Sequence, residues 1–135
     1  MLSIKAIVPK RDVFFVCDNS GNKVATCTAF VQDDGVGLMH MLAAKTEVRG
    51  HNLGWAMTTY TLNKLAGELP KENPMVMLKS DDWRLGALKS YLKAGFQPVL
   101  FDVDMEKRWM DICNKLDVHG IEMLDDEGNP TGIIL

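Results

Sequence analysis

The sequence predicts a single domain of the α/β (α+β) class, built on a mixed sheet with helices packed against it. Two observations carry this prediction. Three β-rich runs come first, at 13–18, 23–31 and 36–44, with turn-forming residues between them. Helix-like and strand-like patterns then alternate through the rest of the 135 residues, which is enough chain to bury a core. One domain spanning 1–135 is therefore expected.

The three β-rich runs predict an antiparallel meander. Residues 19–22 (NSGN) are all turn formers and indicate a hairpin between the first two runs. Residues 33–35 (DDG) supply the second turn. Because the runs are apolar at nearly every position, we expect both faces of this sheet to be covered.

Helices and short strands are predicted to alternate after the meander. A helix runs from the stretch at 49–54 to about Leu69, where Pro70 ends it. A strand at 75–80 follows, and then a helix over 81–95. Either of the aspartates at 81 and 82 would serve as the N-cap of that helix, and Gly95 as its C-cap.

The last third of the chain predicts a strand, a helix and a hairpin. The strand covers 96–103 and the helix covers about 105–116. One face of this helix is apolar and is formed by Trp109, Ile112, Cys113 and Leu116. Residues 121–135 read as a hairpin that turns at 127–130 (EGNP).

Composition excludes several classes of protein. With 15 Lys and Arg against 18 Asp and Glu, the net charge of −3 argues against nucleic acid as a partner and fits a cationic substrate slightly better than an anionic one. No apolar run approaches the length that crosses a membrane, and the N-terminus lacks a secretory leader. A cytoplasmic protein with no membrane partner is expected.

The three cysteines have no metal-ligand spacing, and no metal is expected. Free thiols are the preferred interpretation of Cys17, Cys27 and Cys113. A disulfide between Cys17 and Cys27, facing each other across the first hairpin, is the alternative.

Residues 49–54 (RGHNLG) lie between a strand and a helix, where two glycines need an explanation. The first amides of a helix have no internal partners, and the helix dipole adds positive charge there, so such a turn is suited to an anion. Gly54 would let a diphosphate approach the backbone, and Arg49 could add a charged contact. The glycines could equally serve tight packing of the helix on the sheet. The spacing matches neither a P-loop nor the dinucleotide fingerprint.

A second segment, 78–98, decides between these interpretations. It contains Ala87, Tyr91, Gly95 and Phe96 in the pattern Ala-x-x-x-Tyr-x-x-x-Gly-Phe. Together with the turn at 49–54, which follows a strand, it resembles the GNAT superfamily of acyl-CoA-dependent N-acyltransferases. The family pattern in the turn is Arg/Gln-x-x-Gly-x-Gly/Ala, so Asn52 replaces the first glycine and Gly54 matches the second. The resemblance covers about residues 13–101.

The resemblance implies a mainly antiparallel twisted sheet with a splayed central strand pair. It also implies that acetyl-CoA is the cosubstrate. The pantetheine arm would pair with Leu42, Ala43 and Ala44, and the pyrophosphate would be held by the turn. The residues of that turn are Arg49, Gly50, His51, Asn52, Leu53 and Gly54.

The resemblance also implies two proton-handling residues. Tyr91 stands where the family places a general acid, since a phenol is protonated at neutral pH. Its alternative role is a packed aromatic beside Phe96. His40 precedes the pantetheine stretch and could act as the base, or be only a strand residue. Arg84 would either reach the phosphates of coenzyme A or pair with Asp81 or Asp82. His119 is expected at the surface.

Other positions leave the function open. The three tryptophans are interpreted as core or interface residues. Only about 12 residues precede the first predicted strand, which is too few for the family's usual N-terminal strand and helices. Three functions follow: an N-acetyltransferase acting on a primary amine of a small molecule or peptide, a catalytically weak coenzyme A-binding module, or a structural domain. The apolar C-terminal helix and tail would also suit a homodimer interface.

Overall fold

The computed structural model describes residues 3–6, 12–50, 52–72 and 74–135. It divides into two compact units, Met1–Lys79 and Ser80–Leu135. The fold is of the mixed α+β class that the sequence predicts. No helix among the described residues is both long and apolar enough to cross a membrane.

The first unit is a five-stranded sheet with one long helix. The strands lie in the order β1-β2-β3-β4-β5, and α1 (Leu53–Glu68) connects β4 to β5. Neighbours up to β4 are antiparallel, whereas β4 and β5 are parallel. The strands are β1 Ser3–Ala6, β2 Asp12–Cys17, β3 Lys23–Val31, β4 Gly37–Ala44 and β5 Val76–Leu78.

Helix α1 packs on one face of this sheet through a small set of buried side chains. The ring of Phe14 meets the ring of Tyr60 edge to face, with centroids 5.3 Å apart. Met57 and Leu65 of the helix are buried as well. Since successive strand residues point to opposite faces, Phe15 lies on the other face from α1.

The meander and the long helix are confirmed, with two differences. Strand β1 was not predicted, because four residues that include a lysine carry little strand signal until they pair with β2. The expectation that both faces are covered holds only in part. His40 and Ala43 are exposed.

The second unit joins two helices to a small sheet. The sheet has the order β6-β7-β8, with β6 parallel to β7 and β8 antiparallel to it. A buried cluster of Leu92, Cys113, Met123 and Ile134 holds the helices against it. The elements are α2 Leu85–Lys93, β6 Val99–Leu100, α3 Met105–Leu116, β7 Ile121–Asp125 and β8 Pro130–Ile134.

The apolar face predicted for α3 and the C-terminal hairpin are confirmed. Ile112 and Cys113 are buried, and Trp109 and Leu116 pack around them. The strand predicted over 96–103 is limited to Val99–Leu100. The next residues turn toward α3, and the amide of Met105 donates to the carbonyl of Asp102 at 3.3 Å.

The three cysteines are free and buried, as preferred from the sequence. The pairing of β2 with β3 places Cys27 opposite Phe14 and Cys17 opposite Lys23. The two thiols therefore do not face each other across the hairpin, and the disulfide alternative is wrong.

Candidate active site

Strands β4 and β5 separate partway along β4. Their parallel pairing covers Gly37 to Met39 of β4 and ends at Leu78, the last residue of β5. Strand β4 continues to Ala44 without β5 beside it. An extended ligand can pair with the backbone of a strand on such an edge. Strand β4 is therefore longer than its parallel partner at the position where the family resemblance implies a splayed strand pair.

The opposite edge of β4 carries a β-bulge at the same level. On β3, Thr26 pairs with Ala43 and Thr28 pairs with His40. Cys27 alone therefore faces both Met41 and Leu42. A bulge of this kind bends the strand and turns backbone groups out of the ladder.

A buried polar contact lies behind the bulge. The thiol of Cys27 is fully buried and accepts a hydrogen bond from the hydroxyl of Thr61, with 3.8 Å between sulfur and oxygen. The backbone N–H of His40 also donates to this sulfur. Burial raises the pKa of Cys27, so the thiol stays protonated at neutral pH and connects α1 to β3 and β4.

His40 occupies the strand position that the sequence assigns to it. Its side chain is exposed and lies on the same face as that of its cross-strand partner, Thr28.

The turn before α1 has an unusual backbone. Gly50 has φ of 88° and Asn52 has φ of 56°, both in the left-handed region. Glycine adopts this region at no steric cost, and asparagine adopts it more readily than most residues. Asn52 therefore provides the backbone conformation for which the family pattern has a glycine.

Asn52 is also the N-cap of α1, yet its side chain makes no capping hydrogen bond. The first hydrogen bond of the helix runs from the amide of Ala56 to the carbonyl of Asn52, at 3.0 Å. The amides of Leu53 and Gly54 precede that bond and point along the helix axis. Because Asn52 does not cap them, this helix end is suited to an anion.

Arg49 differs from the other residues of the turn. Its amide already donates to the carbonyl of Thr46 at 3.2 Å, closing a short 3-10 helix, Thr46–Val48. The exposed guanidinium is therefore the group that Arg49 has to offer a ligand. His51 lies outside the described residues.

Tyr91 lies in the second unit, buried near the end of α2. Its ring meets the ring of Phe96 edge to face at 6.1 Å. The amide of Phe96 donates to the carbonyl of Tyr91, and the amide of Gly95 donates to that of Leu92, both at 3.1 Å. With Gly95 at φ of 102°, these bonds form a Schellman motif. Gly95 ends the helix as predicted, and the packing of Tyr91 on Phe96 is confirmed.

The start of α2 differs from the prediction. The helix begins at Leu85, and Arg84 is its N-cap, without a side-chain capping bond. Asp82 instead binds Arg108 through two hydrogen bonds of 2.7 and 2.9 Å. The hydrogen bond from Arg108 lowers the pKa of Asp82. Neither Asp81 nor Asp82 is the N-cap, and the carboxylate of Asp82 is bound by Arg108.

Two further predictions concern tryptophan and histidine. Trp83 is 77% exposed and lies beside Arg84, so it is not a core residue. Trp109 packs in the second unit and Trp55 is half-buried. His119 is at the surface, as predicted, and contacts Asp117 at 2.8 Å. Within the described parts of the chain, no three metal-ligating side chains come close enough to hold an ion.

Comparison with solved structures identifies the fold. A protein from Klebsiella pneumoniae subsp. pneumoniae MGH 78578, assigned as an acyl-CoA N-acyltransferase, superposes with a TM-score of 0.66 at 15% identity. The match covers 76% of this chain and 87% of that one. An acetyltransferase of the GNAT family from Staphylococcus aureus Mu50 gives a TM-score of 0.56 at 16% identity, covering 65% of this chain and 54% of that one.

A third structure was solved with acetyl coenzyme A. It is assigned as a streptothricin acetyltransferase from Bacillus anthracis str. Ames and gives a TM-score of 0.58 at 16% identity. This chain covers 55% of it, and 74% of this chain is matched. No protein-family model and no curated protein sequence matches the chain. The chain has the GNAT fold, which confirms the resemblance at the level of the fold.

Some residues around β4 carry no signal in the sequence. Cys27 and Thr61 come together only because the register of β3 places the sulfur under α1. Phe15, Thr26 and Ala43 form a row across three strands, which becomes visible only once the strands are paired. The alternation of side chains along the strands predicts that each of these residues lies on one face of the sheet. It does not predict where the row lies relative to the end of the β4–β5 pairing.

Proposed function

We propose that the chain is an acyl-CoA-dependent N-acyltransferase that moves an acetyl group from acetyl-CoA to a primary amine of a small molecule or peptide. One observation carries the proposal. After Met39, strand β4 continues beyond its pairing with β5 and leads, through the short 3-10 helix Thr46–Val48, to a positive-φ turn and an uncapped helix N-terminus. A backbone edge followed by an anion site suits a ligand whose amide-containing arm ends in a diphosphate.

The donor is proposed to bind along β4 and across the turn. Its pantetheine amides would pair with the backbone of Leu42, Ala43 and Ala44, and its pyrophosphate would accept hydrogen bonds from the turn at 50–54. The guanidinium of Arg49, and that of Arg84 in the second unit, are the proposed charged contacts to the phosphates. These contacts use main-chain atoms and cations, which are the groups that bind phosphate best in proteins.

The reaction is a direct transfer. The neutral amine forms a bond to the thioester carbon, the carbon–sulfur bond breaks, and coenzyme A leaves as a thiolate. His40 is the proposed base that takes the proton of the ammonium through water. Tyr91 is the proposed acid that protonates the departing sulfur. The backbone N–H of Met41, in the β4 bulge opposite Cys27, is the proposed donor to the carbonyl oxygen, which becomes negative during attack.

The test combines binding and turnover. Acetyl-CoA is expected to raise the melting temperature, and thiol release is expected with at least one amine of a panel. Replacing Tyr91 by Phe should lower kcat by about a hundredfold, the lower range for loss of a general acid. Tyr60→Phe is the matched control, since Tyr60 packs on Phe14 and is given no chemical role.

Each outcome separates one part of the proposal. Failure of acetyl-CoA to bind would overturn it altogether. Binding without turnover on any amine would indicate the catalytically weak binding module instead. Equal rates for Tyr91→Phe and Tyr60→Phe would remove the acid role from Tyr91. His40→Gln, compared with His119→Gln in the same assay, tests the base.

A further inference from the structure

A hollow lies on the face of the first sheet that points away from α1. Phe15 pairs with Thr26, and Thr26 pairs with Ala43, so the three side chains form one row across β2, β3 and β4. Phe15 and Thr26 are half-buried and Ala43 is exposed. Because alanine is small and phenylalanine is large, the row forms a step with an aromatic wall.

The hollow is large enough for a small molecule. Its volume is about 330 Å³, at the lower end of the range for ligand pockets. Apart from two lysines and Thr26, its lining is apolar. An apolar floor of this kind suits a flat hydrocarbon group.

Both lysines lie at the same end of the hollow. The amide of Lys45 donates to the carbonyl of Val24 at 2.8 Å, which places Lys45 beside the start of β3, where Lys23 lies. The ammonium of Lys23 is 4.5 Å from the centroid of the Phe15 ring. Two exposed cations beside an apolar floor attract an anionic group.

Lys45 acts electrostatically on the carboxylate of Asp18, which is already engaged in hydrogen bonds. Asp18 accepts hydrogen bonds from the amides of Ser20 and Asn22, both at 2.9 Å, within its own turn. Lys45 acts on Asp18 only as a weak electrostatic influence, smaller than those bonds. Asp18 therefore reduces the positive charge at this end of the hollow without closing it.

We propose that this hollow binds the acyl acceptor, and that the acceptor has an amine at one end of a flat apolar group and a carboxylate at its other end. The proposal rests on the function proposed above. Ala43 and Ala44 line the hollow and also belong to the strand proposed to pair with pantetheine. An acceptor in the hollow would lie against the same strand as the donor. Its carboxylate would contact Lys23 and Lys45, and its ring would lie over Ala43 beside Phe15.

The experiment compares two probes that differ in one group. 4-(Aminomethyl)benzoate has the amine, the ring and the carboxylate, whereas benzylamine lacks the carboxylate. Binding is measured by calorimetry on the full chain saturated with coenzyme A, and the contact surface by amide NMR shifts at Thr26 and Ala43. 4-(Aminomethyl)benzoate is expected to bind about tenfold more tightly, since a charge-assisted contact is worth about a factor of ten.

Charge variants locate the binding site. The double variant Lys23→Gln with Lys45→Gln should bind 4-(aminomethyl)benzoate about tenfold more weakly, and its affinity for coenzyme A should be unchanged. Lys71→Gln with Lys107→Gln makes the same change in net charge at exposed positions outside the hollow and should change neither affinity. Circular dichroism of both double variants checks that they fold.

Three results would overturn the proposal. The first is equal binding of the two probes. The second is a loss of coenzyme A affinity in the Lys23 and Lys45 variant, which would assign the lysines to the donor. The third is a dimer whose formation protects Thr26 and Ala43, which would assign the face to a second copy. All three are binding measurements, so they stand apart from thiol release, on which the proposed function depends.

Discussion

The start of α1 and the end of α2 use the same backbone device with opposite results. At the start of α1, Asn52 takes a positive φ and its side chain caps nothing. At the end of α2, Gly95 takes a positive φ, and two hydrogen bonds satisfy the last carbonyls. Both positions belong to sequence patterns of the same family resemblance.

The difference separates a ligand site from a structural one. A helix end whose polar groups are satisfied within the chain needs no ligand, and a positive φ there serves to close the helix. A helix end that its own N-cap leaves uncapped, although asparagine is among the best N-cap residues, is suited to an external acceptor. We therefore propose that coenzyme A binds at the first end, whereas the second end only terminates its helix.

Among the changes that test this comparison, the largest expected effect is at Asn52. Valine is strongly disfavoured at φ of 56°, so Asn52→Val should distort the turn, whereas Asn52→Gly keeps the conformation. The strain of about 1–2 kcal/mol corresponds to a loss of coenzyme A affinity of about 5- to 30-fold in the valine variant. Calorimetry with coenzyme A measures it.

The glycine variant is the control for that change. If the backbone matters and the side chain does not, Asn52→Gly should bind coenzyme A within about twofold of the unchanged chain, because glycine adopts this conformation without strain. A glycine variant that binds as poorly as the valine variant would show that the Asn52 amide group itself contacts the ligand. That result would show that backbone conformation does not explain the role of Asn52, so the comparison with Gly95 would no longer hold.

A smaller effect, on stability alone, is expected at Gly95. A Cβ added there meets nothing within 4 Å, so the cost of Gly95→Ala is backbone strain at φ of 102°. The free energy of unfolding should fall by about 1–2 kcal/mol. Gly86→Ala in the same helix also meets nothing, has no positive φ, and should raise stability by about 0.5–1 kcal/mol. Urea unfolding of both variants measures the difference.

Coenzyme A affinity should be unchanged in both of these variants. A loss of affinity in Gly95→Ala as large as that in Asn52→Val would contradict the division between a ligand site and a structural site. If only Gly86→Ala lost affinity, the backbone at the start of α2 would belong to the donor site, together with the guanidinium of Arg84, the N-cap of that helix.

Local pattern predicted most of this fold, and its failures have one cause. Strands β2 to β4 and helices α1 and α3 carry their periodicity in their own residues. Strand β1 and the start of α2 depend on distant partners. Four residues become a strand by pairing with β2, and Asp82 is removed from a capping role by Arg108, which lies 26 residues away.

The candidate site was predictable where it depends on backbone conformation. The glycine and asparagine of the turn indicated an unusual backbone before a helix, and the structure has it at Gly50 and Asn52. The bulge at Cys27 and the hollow beside Phe15 were not predictable, because both depend on the register between strands. A shift of one residue would exchange the two faces of β3 and remove both.

The smallest expected effect is on the loss of stability at low pH. It concerns two turns whose polar groups are hydrogen-bonded within the chain, as the carbonyls at the Gly95 helix end are. Asp18 and Asp125 each accept backbone hydrogen bonds within a five-residue D-x-x-G-N turn, one in each unit. Those bonds lower the pKa of both carboxyls below 3.8. Their contribution is therefore present above the unfolded pKa and is lost as pH falls through the folded pKa. The double variant Asp18→Asn with Asp125→Asn keeps an acceptor oxygen but cannot titrate, so its urea stability should fall less than that of the unchanged chain between pH 5 and 2. Both carboxyls are exposed, which keeps the effect small.

An equal fall in the stability of the two proteins would show that other carboxylates determine the loss of stability at low pH. A change in coenzyme A affinity at neutral pH would show that a satisfied turn can still act on the donor site, which is the one result that the contrast between Asn52 and Gly95 does not allow.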